Sequence, residues 1–127
     1  GSIAVGDTSS QKTLRIINTV NNDALDFNFS GSALTCTQGS IDTSRQRFSS
    51  TTGFSWGSWT SDGVGGIFRL TTSSSATNTF KGNLTKPTGT TTESATNTYW
   101  LLAVPTPSDA TALRGTCTGQ ITILATD

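Results

Sequence analysis

The chain contains no histidine and no methionine, and Glu93 is its single glutamate. Charged residues make up only 13% of the 127 residues, about half the usual share for a globular domain. Each shortage excludes something. Without histidine, Ser-His and Cys-His nucleophilic systems cannot be built, and most zinc sites lose their commonest ligand. Paired carboxylates remain conceivable for glycoside hydrolysis, but only Asp23 and Asp26 lie close together, on the flank of a turn that explains them equally well. With Asn21 and Asn22 they are also candidate oxygen ligands for Ca²⁺, at a spacing that matches no defined loop. The expectation is a protein that is not an enzyme, with no cofactor and no resident metal.

The eight basic and eight acidic residues are scattered singly and cancel. Such a surface lacks the concentrated positive charge that nucleic acid or an anionic membrane requires. No apolar run approaches the ~20 residues of a membrane-spanning helix, so neither nucleic-acid binding nor membrane insertion is expected. The chain opens Gly1-Ser2 with no charged and apolar leader pattern. It reads as a mature start or as a cloning remnant.

What fills the space left by charge is hydroxyl: 26 Thr and 17 Ser, a third of the chain. Threonine is β-branched and suits a pleated strand, while its hydroxyl keeps the outer face wet. Good helix formers are scarce. A surface wetted by hydroxyls points to an extracellular or cell-surface location. So do the two cysteines, Cys36 and Cys117, which are far apart in sequence and have no histidine to share a metal with. A structural disulfide is expected, closing a loop long enough to remove ~4–5 kcal/mol of unfolded-state entropy. Two buried free thiols are the alternative. The sequons Asn28-Phe29-Ser30 and Asn83-Leu84-Thr85 make Asn28 and Asn83 candidate N-glycosylation sites.

Periodicity reads as strands throughout. Residues 2–5 alternate, with Ile3 and Val5 on one side. Residues 13–20 form a longer apolar strand ended by Asn21-Asn22-Asp23. Leu25, Phe27 and Phe29 alternate with polar residues, and Leu34 and Cys36 continue that pattern beyond Gly31-Ser32. Further strands are expected at 46–49, 54–60, 66–72, 77–84, 97–104 and 116–126. The stretch 97–104 is apolar on both faces, as befits a central strand. The Thr-rich stretch 85–98 reads as an exposed loop, and 109–114 is the only place for a helical turn. The near-repeat of 75–80 at 94–99 reads as two similar strand starts. About eight to ten short strands with Gly-, Asn- and Ser-rich turns predict a single all-β domain. We expect an Ig-like or jelly-roll β-sandwich, with a barrel as the alternative.

The aromatic segment Phe54-Ser55-Trp56-Gly57-Ser58-Trp59 is the most distinctive local feature. On a regular strand Trp56 and Trp59 face opposite ways, so one enters the core and the other is free to stack on a sugar ring. Both are candidate glycan contacts. The competing reading has Trp59 plugging one end of the sandwich or meeting a neighbouring subunit.

Residues 13–29 (TLRIINTVNNDALDFNF) and 104–126 (VPTPSDATALRGTCTGQITILAT) resemble the early strand pair and the closing strand of secreted β-sandwich fibre subunits, such as camelysin-type biofilm fibre proteins and spore-coat-U-like pilins. The resemblance implies joining by strand exchange, in which an extended terminal strand of one subunit fills a groove in the next. Residues 1–10 then form an extended strand and linker, with Ile3 and Val5 as donor-strand residues, and residues 11–127 form the sandwich. Such a joint does not close and propagates a filament. The expected function is therefore a structural subunit of an extracellular filament or surface layer, with copies of itself as partners. A carbohydrate-binding module or adhesin domain that meets surface glycans through tryptophan is the alternative. For residues 1–10 the other reading is an ordinary edge strand folded back on its own sheet.

Overall fold

The computed structural model describes residues 2–19, 24–56, 66–73, 80, 82–87, 93–106 and 113–126. Among them are ten strands and one short 3₁₀ turn: β1 Lys12–Asn18, β2 Leu25–Gly31, β3 Leu34–Gln38, β4 Ser40–Ile41, the turn Thr43–Arg45, β5 Gln46–Ser49, β6 Ile67–Arg69, β7 Gly82–Leu84, β8 Ser94–Leu102, β9 Arg114–Thr118 and β10 Ile121–Thr126. All pair antiparallel, in three sheets with the orders β1-β8-β5-β6, β10-β2-β7 and β4-β3-β9. The protein is all-β, in one small domain.

The first two sheets face each other across an aromatic core. Phe27 and Phe29 of β2 meet Phe48 of β5 and Trp100 of β8, with Phe80, Leu70 and Leu84 filling in. The rings pack mostly edge to face. Phe29 lies 5.0 Å from both Phe48 and Trp100, while Phe48 stacks on Trp100 at 4.6 Å. Such pairs add ~0.5–1.5 kcal/mol each beyond the area they bury. The alternation of Phe27 and Phe29 with polar neighbours is thus the pattern that aligns the core. Gly82 of β7 opposes Phe27, and a β-carbon there would collide with that ring. β8 is central, between β1 and β5, and both Trp100 and its outward neighbour Leu101 are buried.

The third sheet carries a second, smaller cluster of Cys36, Ile41 and Val104, with Ile3, Leu34, Leu102, Leu113 and Cys117 against it. Cys36 and Cys117 stand opposite each other on β3 and β9 and are joined by a disulfide, S–S 2.04 Å.

Several expectations are corrected. Residues 116–126 are not one strand: β9 pairs with β3 and β10 with β2, in different sheets. At the break, the Ser32 N–H donates to the Gln120 carbonyl and the Gln120 N–H donates to Ser32 Oγ. Gly119 passes so near Leu34 that a β-carbon would lie 2.7 Å from its Cδ2. The disulfide therefore staples β3 to the last strand but one, on a ladder that shifts register between Cys36 and Gln38. Residues 54–56 are not strand. The chain turns at Gly53, whose φ of +79° is the left-handed region open to glycine. Gln11 fixes the turn, accepting from the Gly53 N–H and donating to Thr52. Residues 94–98, expected in an exposed loop, begin β8, because Thr96 and Thr98 pair with Ile16 and Leu14 of β1. Residues 2–5 are not strand either. Of the repeat, residues 75–79 lie outside the described residues, as do residues 109–112 of the expected helical turn, and Arg114 opens β9.

Candidate groove for a terminal strand

Residues 2–10 fold back along the end of β8. The Gly6 N–H donates to the Val104 carbonyl, the Val104 N–H to the Asp7 carbonyl, and the Ser9 N–H to the Leu102 carbonyl. Thr8 makes a single antiparallel bridge to Ala103. A turn closed by the Asp7 N–H on the Ala4 carbonyl, with Gly6 at φ +86°, lifts the first residues away from this line. Ile3 then packs half-buried against the second cluster, and Val5 stays exposed.

Beside this segment runs a groove of about 650 Å³. Ile3 and Val5 form one wall with Ser2, while Leu34, Ile41, Leu102, Val104, Leu113 and Cys117 line the remainder beside Arg114, Gly115 and Thr116. Its apolar side chains come from three elements, β3 and β4, the end of β8, and the entry to β9, while Ser2, Arg114 and Thr116 leave about half of the lining polar. Gly115 holds φ +82° on its rim, where a side chain would strike Thr37. The two residues expected to act in a subunit joint are therefore together at one groove, with the expected disulfide bordering it.

The other candidate residues are scattered. Trp56 is half-buried beside β5, with the Arg47 guanidinium 3.3 Å from its ring centroid and Arg47 Nη1 donating to the Trp56 carbonyl. A cation held over the ring occupies one face on which a sugar would stack. Trp59 lies outside the described residues, as do Asn21, Asn22 and Asp23. Asp26 is exposed on β2 and accepts from Asn83 Nδ2 at 3.1 Å. Asn83 is exposed on the edge strand β7, whereas Asn28 is half-buried in the middle strand of that sheet, with Oδ1 accepting from the Phe29 N–H. Among the described residues no three His, Cys, Asp or Glu side chains gather as metal ligands, and no helix is long and apolar enough to cross a membrane. The disulfide is compatible with an oxidising compartment.

One perturbed carboxyl stands near the groove. Asp42, which caps the 3₁₀ turn, is held below the usual carboxylate range. The Ser44 hydroxyl and then the Ser44 N–H donate to it, Arg45 and Arg69 add favourable charge, and partial burial opposes them. Its part is structural, since it fixes the turn leading from Ile41 to β5.

Sequence reasoning missed the groove walls. Leu102 and Val104 read as the end of a central strand, and Leu113 read as part of a helical turn. Compared with known proteins, the chain matches no family model, no curated protein and no solved structure.

Proposed function

We propose that this protein is a non-catalytic structural subunit of an extracellular filament or surface layer, in which residues 2–10 of one copy seat on the groove of the next. The observation that carries this reading is the seating of Ile3 and Val5 as one wall of a groove that they do not fill, against the apolar side chains Leu34, Ile41, Leu102 and Val104. A segment held by a single bridge and a few backbone hydrogen bonds is readily exchanged. The same segment on a neighbour would make the same contacts, which is the logic of a swap between identical chains. The resemblance of residues 13–29 and 104–126 to secreted fibre subunits points the same way. Glycan binding through Trp56 is the weaker reading, because Arg47 covers one face of the ring.

Deleting residues 1–10 is expected to leave a folded protein that no longer polymerises into fibres, with electron microscopy of parent and truncated protein as the measurement. The same fibres from the truncated chain would remove strand exchange through this segment.

A further inference from the structure

We infer that β10 is a second, independent contact surface, on which another copy of this chain pairs β10 to β10, antiparallel about a two-fold axis. The other sheet edges are protected. Edge strands in natural proteins are blunted by charge, by brevity or by a covering element. Of the edge strands described here, β1 carries Lys12 and Arg15, β6 carries Arg69 and β9 carries Arg114. The edge strands β4 and β7 have only two and three residues. Among the described residues, β10 has none of these devices. It is six residues long, uncharged and exposed at every position, with Ile121 at 42%, Ile123 at 44% and Leu124 at 50%.

The alternation that should bury this strand is present. Ile123 pairs with Phe29 and Ala125 with Phe27, so Ile121, Ile123 and Ala125 share the core-facing side of β2. Phe29 is fully buried, yet Ile123 beside it is open. The sandwich therefore ends in an apolar flank with a free hydrogen-bonding edge.

Charge identifies the occupant. A charged strand laid on β10 would find no counter-ion along it, because Ile121–Thr126 contains no acidic or basic residue. Among the described strands that lie at a sheet edge, β10 is the one that is uncharged over a matching length, since the other uncharged strand of that length, β8, is enclosed between β1 and β5. Antiparallel pairing centred on Leu124 would set Leu124 against Leu124 on the outward side and Ile123 against Ala125 on the core-facing side, joining two three-stranded sheets into one of six. Size sets the strength. Six residues span ~20 Å, a strip smaller than the ~1,600 Å² of a standard stable interface. The pairing is accordingly reversible, and it closes on itself where the groove contact propagates.

The test is sedimentation of the full chain from about 10 µM to about 1 mM, read together with hydrogen exchange of the amides at 121–126. Self-association that slows exchange across β10 and weakens at least ~10-fold in Leu124→Lys is the expected result. Should Leu124→Lys fail to fold, Thr122→Lys places the charge on the same outward side and carries the same expectation. No association over this range, association that leaves β10 exchange unchanged, or association that survives the folded lysine variant would overturn it. Deleting residues 1–10 separates the two contacts: it removes the groove joint and is expected to leave β10 pairing intact.

Discussion

Thr98 shows how much a single hydroxyl decides in a chain with 26 threonines. It is buried in β8, where an unpaired polar group would be costly. Its Oγ1 donates to the Leu14 carbonyl of β1 at 3.1 Å and accepts from Trp100 Nε1 at 2.9 Å. One hydroxyl thus satisfies the indole N–H that lets Trp100 sit in the aromatic core, and it ties that ring to the neighbouring strand. Thr98→Val keeps the shape and leaves the indole without its acceptor. The expected loss is ~1–3 kcal/mol, read as a lower urea midpoint, and Thr98→Ser is expected to recover most of it. An equal loss for both variants would assign the effect to packing. Nothing in the sequence separates Thr98 from its neighbours, because the partner that gives it a role lies two residues along the same strand face. Phe27 and Phe29 were legible from alternation alone, since their burial needs only the period of two.

Elements were legible where one rule acted locally and obscure where two distant segments had to agree. β2, β5 and the apolar second half of β8 followed from apolar alternation or a continuous apolar run, whereas the Thr-rich start of β8 read as a loop. The division between β9 and β10 did not, because residues 116–126 keep a period of two straight through Gly119. The split is imposed by β2 and β3, which part at Ser32 and take β10 and β9 to different sheets. Likewise residues 54–56 carry aromatic strand formers, but Gln11, more than forty residues away, pins the turn at Gly53. Ile3 and Val5 could be picked out in the sequence, whereas the groove they line is assembled from β3, β4, β8 and β9 and leaves no contiguous trace. The 3₁₀ turn between β4 and β5 has a consequence for pH. Asp42 is bound to Ser44 through side chain and backbone, and its carboxyl lies below its ordinary value. A depressed carboxyl contributes stability above its unfolded pKa, ~3.9, and that contribution is lost as pH falls through the lower folded value. The difference in urea midpoint between the parent and Asp42→Asn is therefore expected to be full above about pH 5 and to shrink below about pH 4. A difference that stays constant down to about pH 2 would contradict the assignment.

The whole molecule has two centres of unequal strength. The aromatic cluster between the two larger sheets is extensive, while the cluster at the other end rests on Cys36, Ile41 and Val104. The disulfide sits in the weaker one, joining residues 81 apart. Closing a loop of that length stabilises by ~4–5 kcal/mol in the chain-entropy account, but its local effect is to hold β9 against β3. Regions of a fold open separately according to the apolar contacts they own. Replacing both cysteines by alanine is therefore expected to act unevenly, with amides of β3, β4 and β9 losing exchange protection well before those of β2, β5 and β8. Hydrogen exchange read strand by strand distinguishes this from a uniform fall, which would mean that the two centres unfold as one. The consequence reaches the proposed joint. β3, β4 and Cys117 form the groove beside which Ile3 and Val5 sit, so loosening this end removes the surface on which a neighbour's segment would seat. The cysteine-free protein should then keep its aromatic core, measurable by tryptophan fluorescence, and still fail to assemble. Normal assembly with β3 and β9 unprotected would place the joint elsewhere on the molecule.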